Sequence, residues 1–149
     1  VRGPAVVSLH HPATGRPLQE LATALRFEGQ LPDQAREVVI LVVAFDWMDE
    51  HEIAAHEPLA LDLGVTTAQI DDLEHGRSPV FDDPTTQAAC DAARAIMSRR
   101  DLTAEEFAAA RSALTEQQLI ELTMMIGYYD TISRALRVFQ VPGRKRVQR

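Results

Sequence analysis

The sequence predicts an all-α fold, a single-domain helical bundle of about seven helices. Three observations lead there. Apolar residues recur at helical spacing through most of the 149 residues. Helix starts and stops are written repeatedly, as Thr-x-x-Glu/Gln boxes before apolar runs and as glycines after them. The one segment that also reads as a strand, residues 38–43, has no second run of its kind to pair with.

The first 16 residues, with Pro4 and Pro12, read as an irregular arm. From Leu18 to Phe27 one stripe carries Leu18, Leu21, Ala22 and Leu25, and Gly29 stops it. Pro32 suits the first turn of the next helix, where a missing N–H costs little. That helix contains "REVVILVVAFDW". It is apolar all round, as a helix buried on every side can be. A further helix runs from Glu50 to Leu63, with Gly64 as its C′ residue. "VTTAQIDDLEHG" is a short helix capped by Thr66 or Thr67 and stopped by Gly76, and "RSPVFDDPTT" is a loop. Thr85 to Arg99 is an alanine-rich helix. Thr103 with Glu106, and Thr115 with Gln118, form capping boxes for two more. The last runs from Glu116 to about Phe139, ahead of Pro142 and Gly143, with a basic tail over 143–149.

This length fits one domain with a substantial core. An apolar fraction of 46% and a charged fraction of 25% are those of a globular chain. The net charge of −7 opposes phosphate tracking, so no nucleic-acid partner is expected. No apolar run approaches membrane-spanning length, so no membrane partner is expected either. A lone cysteine, Cys90, rules out an intrachain disulfide and fits a cytoplasmic setting. The chain opens on Val1, and no signal-peptide pattern is visible.

The chemistry concentrates in "FDWMDEHEIAAHEP", residues 45–58. "HEIAAH" invites a zinc-protease reading, but that signature needs histidines at i and i+4, and here they stand at i and i+5. At about 100° per residue, Asp49, Glu52 and His56 fall within about 60° of one another on a helix. His51 points elsewhere. A carboxylate one turn before a histidine can fix its tautomer and raise its basicity. The same three residues would also suit a hard or borderline metal. A third reading is an ordinary acidic helix start.

Longer stretches carry a resemblance. "LPDQAREVVILVVAFDW" followed by "HEIAAHEPLALDLGVTTAQIDDL", with "SLHHPATG", "HGRSPVFDDP" and the closing "ELTMMIGYYDTISRALRVFQVP", resembles the carboxymuconolactone decarboxylase family of the alkylhydroperoxidase D-like superfamily. The resemblance covers nearly the whole chain and implies an alkylhydroperoxidase D-like bundle. The thiol branch of that superfamily places a glutamate, a CxxC pair and a histidine. In this sequence Glu37 takes the glutamate place, Asp49 and Glu52 the cysteine places and His56 the histidine place. Without the CxxC motif, a two-cysteine peroxide cycle lacks its second thiol. Glu52 and His56 match the decarboxylase branch, whereas His51 and Ile53 stand where relatives have Tyr and Trp. Leu63 stands where the decarboxylase proper often has asparagine.

The resemblance implies cofactor-free acid/base chemistry on a small organic acid or lactone: decarboxylation, or a related proton transfer on a keto acid. His56, Glu52 and Glu37 are the expected catalytic residues. Asp49, His51, His10 and Arg36 are the expected substrate-binding residues, although Arg36 equally suits a structural pair with a nearby acid and His10 a solvated loop. No metal is expected, and self-association as a trimer or hexamer is. Two rivals stay open: metal-dependent chemistry through the Asp/Glu/His set, and a non-catalytic binding or assembly protein on the same scaffold.

Overall fold

The computed structural model describes residues 8–143. They form seven α-helices and no strand. These are α1 (Pro12–Thr23), α2 (Asp33–Trp47), α3 (Glu50–Asp62), α4 (Thr67–Glu74), α5 (Pro84–Arg99), α6 (Ala104–Ala113) and α7 (Glu116–Val138), with a π-helical segment, Ala24–Glu28, continuing α1. Helix begins inside the span expected to be irregular, 1–16. Pro12 takes an early helical position, where its fixed φ suits the first turn, and helix follows at once. Residues 1–7, and the basic tail beyond Gly143, lie outside the described residues.

The ambiguous apolar segment is a helix, and it is the axis of the fold. Ala35 and the whole run Glu37–Ala44 of α2 are buried. The helix packs against α3, α5 and α7. Being surrounded, it has no solvent face on which polar residues would be favoured. The β-branched residues that suggested a strand pack here as core.

Two turns set the site. Met48 ends α2 in the left-handed region, at φ 50°. The Asp49 N–H returns to the Ala44 carbonyl at 2.8 Å, which closes the helix as a Schellman-type motif. Asp49 then begins α3 as its N-cap, so α2 and α3 form a tight helical hairpin. The loop between the π-helical segment and α2 is tied to α7. Glu121 Oε2 accepts from the N–H groups of Gln30 at 2.7 Å and Leu31 at 3.1 Å. The boxes expected at Thr103–Glu106 and Thr115–Gln118 are present, as are left-handed glycines at Gly64 and Gly76; of the two candidate caps Thr66 is the one used, in a further box with Gln69. The α1 stripe is only partly inward, since Ala22 and Leu25 are buried while Leu21 is exposed.

Candidate functional site

Burying ionised groups is costly unless each finds a partner. Glu37, Glu52 and His56 are all buried, at 2%, 5% and 4% exposure. They satisfy one another. His56 Nδ1 lies 2.6 Å from Glu37 Oε2. Its other nitrogen, Nε2, lies 3.4 Å from Glu52 Oε2 and 3.5 Å from the Tyr129 hydroxyl. Glu37 Oε1 faces the Arg36 guanidinium at 3.5 Å. The imidazole thus sits between two carboxylates, one from the α2 core and one from its own helix a turn earlier. The Tyr129 ring meets it edge-on, with centroids 5.4 Å apart.

Burial alone would disfavour the imidazolium. Hydrogen bonds to Glu37 and Glu52, with the charges of both, outweigh it, and the His56 pKa stands above its ordinary 6.5. Burial also raises the Tyr129 phenol, so at neutral pH that side chain offers a neutral hydroxyl. Glu37 holds Nδ1–H and thereby assigns Nε2 to the working side of the ring.

The working side opens onto a cavity of about 290 Å³. Glu52, His56, Tyr129 and Tyr128 line it from α3 and α7, and Arg26 and Phe27 from the π-helical segment. His51, Ile132 and Gln19 are also in its wall. Glu37 is absent from this lining and lies behind the His56 ring. A larger cavity of about 780 Å³, lined by Leu102, Phe107, Leu119 and Ile120 among others, contains none of this cluster.

The comparisons with known proteins bear on the same region. The model of the carboxymuconolactone decarboxylase family matches residues 12–95, more than half of the chain. The chain belongs to the carboxymuconolactone decarboxylase family. The match takes in Glu37, Glu52 and His56, while Tyr128 and Tyr129 lie beyond it on α7. No curated protein matches the chain.

Measured against this member of the carboxymuconolactone decarboxylase family, the residue-level expectations divide. Glu37, Glu52 and His56 come together. His51 reaches the cavity after all. It also borders a second cavity of about 290 Å³ that Asp49 lines.

Asp49 does not join the cluster. As N-cap it leaves the helical path, and its Oδ1 accepts from the N–H groups of His51 at 3.0 Å and Glu52 at 3.2 Å. The helical-wheel reading fails because Asp49 precedes the first residue with helical dihedrals. The metal set built on it fails with it: among the described residues no group of three His, Cys, Asp or Glu is arranged to hold a metal ion. Arg36 is committed to Asp33 at 2.8 Å and to Glu37, not to the cavity. His10 is exposed in a turn and does not line the cavity.

Arg26 and Gln19 are cavity residues that the sequence did not single out, and Tyr128 and Tyr129, which the sequence would split with one inward and one outward, both line the cavity. Arg26 was hidden because a π-helical segment, not an α-helix, sets its direction. Trp47 stays out of the site. Its Nε1–H donates to Asp130 at 2.9 Å, and Arg134 and Arg137 stack on its ring. Cys90 is packed in the core, its thiol pushed up to about 12 by burial. Among the described residues no helix is long and apolar enough to cross a membrane.

Proposed function

We propose that this chain is a lyase-type enzyme doing acid/base chemistry, without an organic cofactor or metal, on a small organic acid or lactone. The observation that carries the reading is the Glu37–His56–Glu52 chain, whose outer nitrogen and carboxylate border one small cavity. In decarboxylation of a β-keto or carboxylated lactone, the bond to the departing carboxylate breaks as CO2 leaves. Its electron pair passes into the neighbouring carbonyl as an enolate. His56 Nε2–H then protonates the carbon, and the imidazole regains its proton from solvent by way of Glu52. The raised pKa favours the charged imidazole, and that cation also favours the enolate electrostatically. Related proton transfers α to a carbonyl use the same parts.

The family contains peroxidase-like as well as decarboxylase members. A single buried cysteine supports the second kind here, because a dithiol cycle has no partner thiol. Assembly as a trimer or hexamer in a cytoplasmic setting belongs to the same reading, and light scattering on the purified chain tests the assembly.

Turnover is tested with a panel of β-keto acids and carboxylated lactones, following CO2 release and solvent deuterium at the product carbon. We expect activity that resists chelators and is abolished in His56→Ala at unchanged oligomeric state. Tightly bound stoichiometric metal that turnover requires would sink the metal-free mechanism. Biological activity that survives His56→Ala would favour a binding or assembly role.

A further inference from the structure

Among the described residues the cavity is lined by an arginine, Arg26, that forms no ion pair within salt-bridge distance. Its guanidinium lies over the Phe27 ring, 5.4 Å from the centroid, and not against a carboxylate. The other arginines near the site are committed: Arg36 to Asp33 and Glu37, Arg134 to Asp130. Arg26 lines the same wall as Glu52, His56 and both tyrosines, and its charge is felt at both phenols. It is half-buried, where a guanidinium is only partly hydrated.

The backbone beneath it is unusual and held in place. Residues 24–28 form a π-helical segment, which redirects side chains relative to an α-helix and recurs at functional sites. The loop that follows is pinned to α7 through Glu121 and through Gln118, whose amide donates to the Gln30 carbonyl at 3.1 Å. Arg26 is therefore presented from a tethered support, with a planar donor fork suited to a carboxylate.

We propose that Arg26 anchors a carboxylate that the ligand keeps throughout the reaction. The inference rests on the acid/base reading of the site for its chemistry, not for its binding. A carboxylate paired with a guanidinium is stabilised as the anion, and departure as CO2 would forfeit that pairing, so Arg26 favours the ground state of any group it holds. The reacting carbon therefore belongs at the His56 and Glu52 end of the cavity, with the anchored group at the Arg26 end. A volume of about 290 Å³ suits a ligand with a short skeleton. Phe27 and Ile132 provide its apolar walls.

The test uses 4-oxopentanoate and its neutral amide, 4-oxopentanamide, on the intact chain. Binding is followed by ligand-observed NMR and calorimetry, and exchange of the protons α to the ketone is followed in D2O. We expect the wild type to prefer the acid over the amide by roughly 10- to 100-fold, the worth of a charge-assisted hydrogen bond. Arg26→Gln should lose that preference with amide binding unchanged, and Arg26→Lys should keep part of it.

Equal binding of acid and amide, an undiminished preference in Arg26→Gln, or no binding of the acid overturns the anchor. Proton exchange separates the two ideas. Discrimination without exchange leaves the anchor standing and counts against the acid/base reading. Exchange that His56→Ala abolishes but Arg26→Gln leaves unchanged in KM does the reverse.

Discussion

Replacing Glu37 with Gln removes one negative charge from behind His56 and keeps nearly the same shape. Two unit charges roughly 4 Å apart attract by about 4 kcal/mol at an effective dielectric of about 20. Desolvation of two buried groups offsets part of this. A neutral amide oxygen can still accept from Nδ1–H, so the expected net loss is about 2 kcal/mol, within the range for hydrogen bonds to charged groups.

The loss depends on pH in a definite direction. The folded His56 pKa lies above the ordinary 6.5. The ion pair therefore stabilises the fold fully below 6.5, and the contribution fades as pH rises through the raised folded value. Urea unfolding of wild type and Glu37→Gln across a pH series spanning 6.5 should show the largest gap on the acid side. An NMR titration of the His56 ring should show it losing its proton at lower pH in the variant. Turnover should fall by about 10²–10⁴-fold, as for a misdirected general acid. An unchanged His56 titration, or a stability gap that widens with pH, would refute the coupling inferred from the 2.6 Å contact.

The other predictions concern structure around the site. Asp49→Ala should cost about 1 kcal/mol of stability through the lost cap, while Asp49→Asn, which caps as well, should cost much less. Both should keep most turnover. A large fall in activity with Asp49→Asn, measured beside its urea midpoint, would restore Asp49 to the chemistry. At Gly29, an added Cβ would meet the Glu121 carboxylate. That carboxylate accepts from Gln30 and Leu31 and cannot swing away without losing both bonds. Gly29→Ala should cost about 2 kcal/mol, lowering Tm by roughly 4–8 °C in a chain of this size. A melting curve that superimposes on wild type would show that the Glu121 tether is loose.

Most of the secondary structure was legible because it is local. Thr103 and Thr115 name their helices through side-chain bonds that span three residues, and Gly64 and Gly76 end theirs because left-handed backbone favours glycine. The π-helical segment was not legible. A changed hydrogen-bond register leaves no mark in the apolar pattern, and here the neighbouring α7 tether holds the loop beyond it. The buried trio Glu37, Glu52 and His56 was half legible. Glu52 and His56 share a face by helical spacing, whereas Glu37 joined them only through the resemblance. Asp49 was misplaced because periodicity gives the angle of a residue on a helix but not where the helix begins.

By itself the sequence determined an all-α chain, an axis helix apolar enough to be buried, the capping scheme, and a glutamate and histidine one turn apart. These follow from propensity, spacing and hydrogen bonds within a few residues. Only the tertiary structure decided which nitrogen of His56 meets which carboxylate, that Asp49 caps instead of joining them, and that Arg26 rather than Arg36 faces the cavity. Each of those depends on how α1, α2, α3 and α7 pack, and on which charges lose water when they do.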